Sequence, residues 1–256
     1  MIFTAKLLPF MASSAQFPFE SAGEQMLGGS RVMQHWQLPD TKNPAKAALR
    51  EGRVDVLTLS PHIQLPDEGI DLFTKLGLEK NPNLRVLVQA SWPWADSMEI
   101  GGGGNFKNEQ RNAATKESLW QLQTTQHTQW LSALEIQVAA LNQAVGREVV
   151  HIIPVCDAVF TLRHLILEGK APGLSLQTDL FRDDGGHALA PLSALVTYCH
   201  FAAITRRSPV GLPVPEALRP MAQGEAMNRL LQEIAWDTVS QYPRSGVSPA
   251  PKNIAP

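Results

Sequence analysis

Three apolar runs of strand length constrain this chain more than any other feature. They are residues 54–59 (VDVLTL), 84–90 (LRVLVQA) and 148–154 (EVVHIIP). Each lacks strict polar alternation, as expected of a strand buried on both faces. Helical patterns separate them. Residues 67–79 carry Ile70, Leu72, Phe73, Leu76 and Leu78 on one face, and residues 115–145 repeat Leu119, Leu122, Trp130, Leu134, Val138, Leu141 and Val145 at helical spacing. A helix between successive strands predicts parallel pairing, so the expected class is α/β: a three-layer α/β/α fold with a mostly parallel sheet.

In such folds the ligand crevice lies outside the carboxyl ends of the strands. The segments expected there are Gly28-Gly29-Ser30 (after a short strand at 25–27), Ser60-Pro61-His62, Ser91-Trp92-Pro93-Trp94 and Pro154-Val155-Cys156-Asp157. Small polar groups with two tryptophans suit a sugar-like or acyl ligand. His151, within the third apolar run, reads as an interior histidine.

Further helices are expected over residues 4–16, 42–51, 158–168, 188–206 and 223–241. Gly52 and Gly169 are plausible stops. A chain of 256 residues is long enough for one sizeable core and needs no second domain. The expected organisation is a single domain over 1–242, with a long loop insertion at 93–114 and a Pro- and Ser-rich disordered tail at 243–256. The loop holds four consecutive glycines, 101–104. A phosphate-binding loop would end in Gly-Lys-Ser/Thr and enter a helix at once. Asn105-Phe106-Lys107 does neither, so the glycines read as a flexible hinge.

Composition narrows the function classes. A net charge of −2 gives no reason to expect nucleic acid or an acidic membrane as partner. No run reaches the roughly 18–20 apolar residues that span a bilayer, and Met1 to Phe10 lacks the features of a secretory signal. No pair among the seven histidines has zinc-ligand spacing such as H-E-x-x-H, so no metal or cofactor is expected. Cys156 and Cys199 read as buried free thiols.

The stretch with most chemistry is Asp183-Asp184-Gly185-Gly186-His187, just ahead of the apolar run 188–204. A carboxylate can hold one imidazole nitrogen and fix the tautomer, leaving the other to take a proton from a nucleophile. Asp184, three residues before His187 across two glycines, is the candidate partner. Acidic residues ahead of a helix are also ordinary capping chemistry.

With that block in place the chain resembles the SGNH (GDSL-like) hydrolases, a three-layer α/β/α family of flavodoxin-like topology whose last block is Asp-x-x-His before a C-terminal helix. The resemblance implies His187 as general base and Asp184 as its orienting acid. It implies Gly29, in GGSRVMQHW, as an oxyanion N–H donor, with Gly28 as the second choice. The GGxxxxxHW pattern is also similar to a bacterial SGNH-like subgroup, which places His35 and Trp36 at the cleft, against a plain packing role for Trp36 and an exposed His35. Two features depart from the family. Where its third block has Gly-x-Asn-Asp, this chain has Leu59-Ser60-Pro61-His62, leaving His62 as a candidate replacement for the asparagine donor. The first strand and its Gly-Asp/Asn-Ser block, which carries the nucleophile, have no counterpart after Met1. Either a strand and serine lie upstream or the protein lacks them. Ser30 ends a strand but reads as a turn residue.

Three functions follow from these readings. The first is a serine esterase acting on carbohydrate O-acyl (acetyl) esters, with Trp92 and Trp94 against the sugar. The second is a catalytically degenerate SGNH-like protein that binds a carbohydrate or a protein partner. The third is a metal-assisted hydrolase using His62, His187 and Asp184.

Overall fold

The computed structural model describes residues 7–248. Its centre is a parallel three-stranded sheet in the order β1 (Val56–Leu59), β2 (Arg85–Gln89), β3 (Val150–Ile153). The register pairs Val56 with Arg85 and Val86 with Val150. All three lie within the apolar runs. No strand forms at 25–27, which is irregular.

Alternation along the strands divides the core into two layers. Val86, Val88, Val150 and Ile152 pack with the helices α3 (Pro44–Arg50), α4 (Glu68–Leu78) and α6 (Ser132–Val145). Leu87 and Ile153 face the other way. They meet α1 (Leu8–Ser14), α7 (Val155–Leu167), α8 (Ala190–Thr205) and α9 (Gly224–Gln241). The protein is therefore a three-layer α/β/α structure. α8 is buried almost all round, as a helix without a polar face must be. Its C-terminal carbonyls, at Ala203 and Ile204, accept hydrogen bonds from the Arg85 guanidinium, which ties the helix to the start of β2.

The helical stretch expected over 115–145 forms without a break over 116–145, but not as a uniform α-helix. α5 (Lys116–Gln126) and α6 are joined by a π turn, His127–Leu131. Such turns insert an extra residue and re-aim the side chains around them. The short α2 (Val32–Trp36) is fixed by Asp67, the N-cap of α4. The fully buried Asp67 carboxylate accepts from the backbone N–H groups of Val32, Met33 and Gly69 at 2.7–3.1 Å. Gly69 has to be glycine there, because a Cβ would lie 2.3 Å from Met33 N.

The segment after α9 is packed further than expected. Arg244 O accepts from Ile152 N on the outer edge of β3, and Ser245 and Val247 are buried. The remainder of the expected tail, 249–256, and the start of the expected first helix, 4–6, lie outside the described residues. Among the described residues no helix is long and apolar enough to cross a membrane.

Candidate active site

A cleft of about 250 Å³ opens at the carboxyl ends of β1 and β2. It is lined by Gly28 and Gly29, by Pro61 and His62 after β1, by Ser91 to Ala95 after β2, by Gly101 and Gly102, by Gln126 and Trp130 of the π-turn region, and by Gly185 and His187. Pockets for drug-sized ligands run about 300–1,000 Å³, so this cleft has room only for a small ligand or part of a larger one.

His187 reaches the cleft on a tight hairpin rather than at a helix start. Phe181 and Ala188 form an antiparallel bridge, Arg182 N donates to His187 O, and Gly186 N donates to Asp183 O. Gly186 has φ +68°, and a Cβ on it would lie 2.8 Å from Trp94 O, so the loop closes only with glycine. This geometry corrects the expected pairing. Asp183, not Asp184, meets the ring: His187 Nδ1 lies 2.8 and 2.9 Å from the two Asp183 carboxylate oxygens. Asp184 turns outward, accepting from Lys107 Nζ and Asn108 N. In a hairpin with a four-residue loop, the residue four before His187 lies across the turn beneath it. The residue three before sits at the tip.

Burial pushes the Asp183 carboxyl up, but hydrogen bonds from the His187 ring and backbone and from Arg182 outweigh it and hold the group below the usual carboxylate range. An ionised Asp183 accepts Nδ1–H, which leaves Nε2 of a neutral His187 as the proton acceptor.

His62 lines the cleft with Nδ1 buried and without a hydrogen-bond partner. Burial, together with nearby positive charge, lowers its pKa, so the ring is neutral at pH 7 and carries one N–H donor. Ser91 is oriented by a buried relay. His200 Nε2 lies 2.8 Å from Gln89 Oε1, and Gln89 Nε2 donates to Ser91 Oγ at 2.6 Å. With one of its two lone pairs engaged, the Ser91 hydroxyl can still give its hydrogen to Ser60 Oγ, 3.4 Å away, or to an oxygen in the cleft. Trp92 is buried and donates Nε1–H to Gly186 O, so it braces the hairpin from the core side while Trp94 is half-buried in the wall.

The structure does not bring His35 to the cleft. Its Nε2 bonds to Ser30 Oγ, which itself donates to Leu27 O, and its Nδ1 faces Gln25 Nε2. A consistent set of donors makes His35 the donor to Ser30, so Ser30 closes a turn and is not activated. Trp36 packs edge-to-face on Phe73 under Lys46 Nζ. Neither His35 nor Trp36 lines the cleft. Of the four glycines expected as a hinge, 101–103 pack closely against their neighbours, while a Cβ on Gly104 would meet nothing within 4 Å. A Cβ on Gly101 would lie 2.3 Å from Ile63 Cδ1 and one on Gly103 would lie 2.6 Å from the Ala95 Cβ. Cys156 and Asp157, expected in the crevice, face His127 behind it.

A buried charge cluster that the sequence reading missed supports this wall. Arg163 holds Asp96 with two bonds of 2.8 and 2.6 Å. Arg111 bonds the same carboxylate and Trp94 O, and its guanidinium lies 4.2 Å over the Phe181 ring. Burial lowers Arg111 to about 10. The cluster joins the Trp94–Asp96 wall to the His187 hairpin. The three residues are separated by 15 to 67 positions, so local spacing carried no signal of it.

No family model matches the chain, and no curated protein matches it either. Among solved structures, the chain is similar to a DUF4886 family protein from Bacteroides uniformis, with a TM-score of 0.52 and 18% identity over 84% of this chain and 81% of that one. That likeness supports the α/β fold.

Proposed function

We propose that the cleft hydrolyses small acyl esters, with O-acetyl groups on a carbohydrate as the favoured class. The observation that carries this reading is the clamped imidazole. With Nδ1 held by both oxygens of Asp183, His187 presents Nε2 to a cleft that also holds N–H and O–H donors. In the reaction, Nε2 takes the proton of a hydroxyl, from a serine or from water, as its oxygen bonds to the acyl carbon. The negative charge moves to the carbonyl oxygen, where the Gly29 N–H and the neutral His62 are the candidate donors. The C–O bond to the alcohol then breaks, and His187 returns the proton to the departing oxygen. Ser91, whose hydroxyl meets Gln89 and Ser60 rather than the His187 ring, is read as a donor to substrate oxygen. The DUF4886 neighbour adds only the fold to this reading.

A second reading, a protein that binds a carbohydrate without turning it over, rests on the surroundings of His187. Among the described residues no serine hydroxyl is hydrogen-bonded to His187.

The deciding assay is release of acetate from p-nitrophenyl acetate and from an acetylated oligosaccharide. It would be run on this chain and on a version extended by any in-frame upstream residues. Hydrolysis by either, abolished by His187→Ala and retained in Ser91→Ala, supports the esterase. Saturable binding of the oligosaccharide by folded protein, with no hydrolysis in either version, replaces it with the binding reading.

A further inference from the structure

Behind the cleft, three side chains from separate elements converge. His127 opens the π turn, and Cys156 and Asp157 stand in the first turn of α7, where Cys156 N donates to Ala90 O at the end of β2. A ring nitrogen of His127, Sγ of Cys156 and a carboxylate oxygen of Asp157 all lie within 4.8 Å of one another. His127 Nε2 is 2.5 Å from Asp157 Oδ1. We propose that these three residues bind a thiophilic divalent cation of the zinc class.

The donor set is the argument. Thiolate, imidazole and carboxylate are the three ligand types zinc takes, at bonds of about 2.0–2.3 Å, and three protein ligands leave a fourth position for water or another group. Tetrahedral bonds of that length separate ligand atoms by roughly 3.3–3.6 Å. The present spacings reach this range with side-chain shifts of about 1 Å. Local charge favours a cation. Among the described residues, Asp157 has His127 as its ion-pair partner and no Lys or Arg, and Glu135 adds negative charge near His127. Access is one-sided: Cys156 is fully buried, while the side chains of His127 and Asp157 are 39% and 19% exposed. The ion would enter past the imidazole and meet the thiol at the floor. Binding releases the thiol proton and any proton shared by His127 and Asp157 to solvent.

A nucleophilic role for Cys156 fits less well. Burial, with Asp157 alongside, pushes its thiol well above the ordinary value, so without a metal it stays protonated and inert. The bound ion would pin the π turn, which supplies Trp130 to the cleft and directly follows Gln126, to the ends of β2 and β3.

Chelator-treated full-length protein titrated with Co²⁺ tests the proposal, because a cobalt–thiolate bond gives a charge-transfer band in the near ultraviolet. The expected result is such a band saturating at one equivalent, lost in Cys156→Ser and retained in Cys199→Ser. Asp157→Asn, a change at the partly exposed end of the cluster, is expected to weaken binding by at least about tenfold while the protein remains folded in chelator. No band from folded protein with cobalt in excess, or an unaltered band in Cys156→Ser, overturns it.

Discussion

Asp183 grips Nδ1 of His187 with both carboxylate oxygens, at 2.8 and 2.9 Å, across a hairpin whose tip is the adjacent Asp184. The two aspartates are therefore functionally distinguishable. If the cleft is an esterase, Asp183→Asn disturbs the tautomer that leaves Nε2 as base and lowers kcat by about 10²–10⁴-fold. Asp184→Asn removes only surface contacts to Lys107 and Asn108 and changes kcat by no more than a few-fold. Steady-state assays of the two variants side by side check this, and equal losses would refute the assignment.

The Asp96 cluster makes a prediction about stability. Asp96→Ala leaves two buried guanidiniums, Arg111 and Arg163, without their shared carboxylate. Uncompensated buried charge of this kind costs about 3–5 kcal/mol. Urea denaturation should show a lower midpoint at nearly unchanged slope.

Gly186→Ala forces a Cβ into a left-handed backbone conformation and against Trp94 O. A strained residue of this kind costs roughly 1–3 kcal/mol. Since the hairpin also carries His187, a loss of both thermal stability and cleft function is expected. An alanine variant with a wild-type midpoint would show that the loop relaxes freely.

Acid sensitivity follows from two interior histidines. Burial lowers His200 to about 3 and, with Arg85 and Arg206 nearby, lowers His151 to about 4. Both folded values lie below the ordinary 6.5, so below that pH the unfolded chain binds protons that the native state does not. Their contribution is fully present above pH 6.5 and is lost as pH falls through about 4 and about 3, by up to roughly 1.4 kcal/mol per pH unit for each ring. Denaturant midpoints measured from pH 7 to 4 should fall, and less steeply in His200→Gln. A flat profile would contradict this.

What the sequence determined by itself was the layering. The runs 54–59, 84–90 and 148–154 are apolar enough to require cover on both faces, and the helical patterns between them dictate parallel pairing. Segments that follow strands meet at one sheet end, so His62, Trp92 and Trp94 were legible as neighbours, whereas Gly29 and His187 line the same cleft without following a strand. Tertiary structure decided what spacing cannot encode. Whether Asp183 or Asp184 meets the imidazole depends on hairpin geometry set by one positive φ at Gly186. The orientation of His35 depends on Asp67, more than thirty residues away, holding the start of α2. The Asp96 cluster and the His127–Cys156–Asp157 group join residues brought close only when helices pack on the sheet. Burial patterns are periodic and local, so they can be read along a chain. Directional contacts between single polar atoms exist only once the elements have docked.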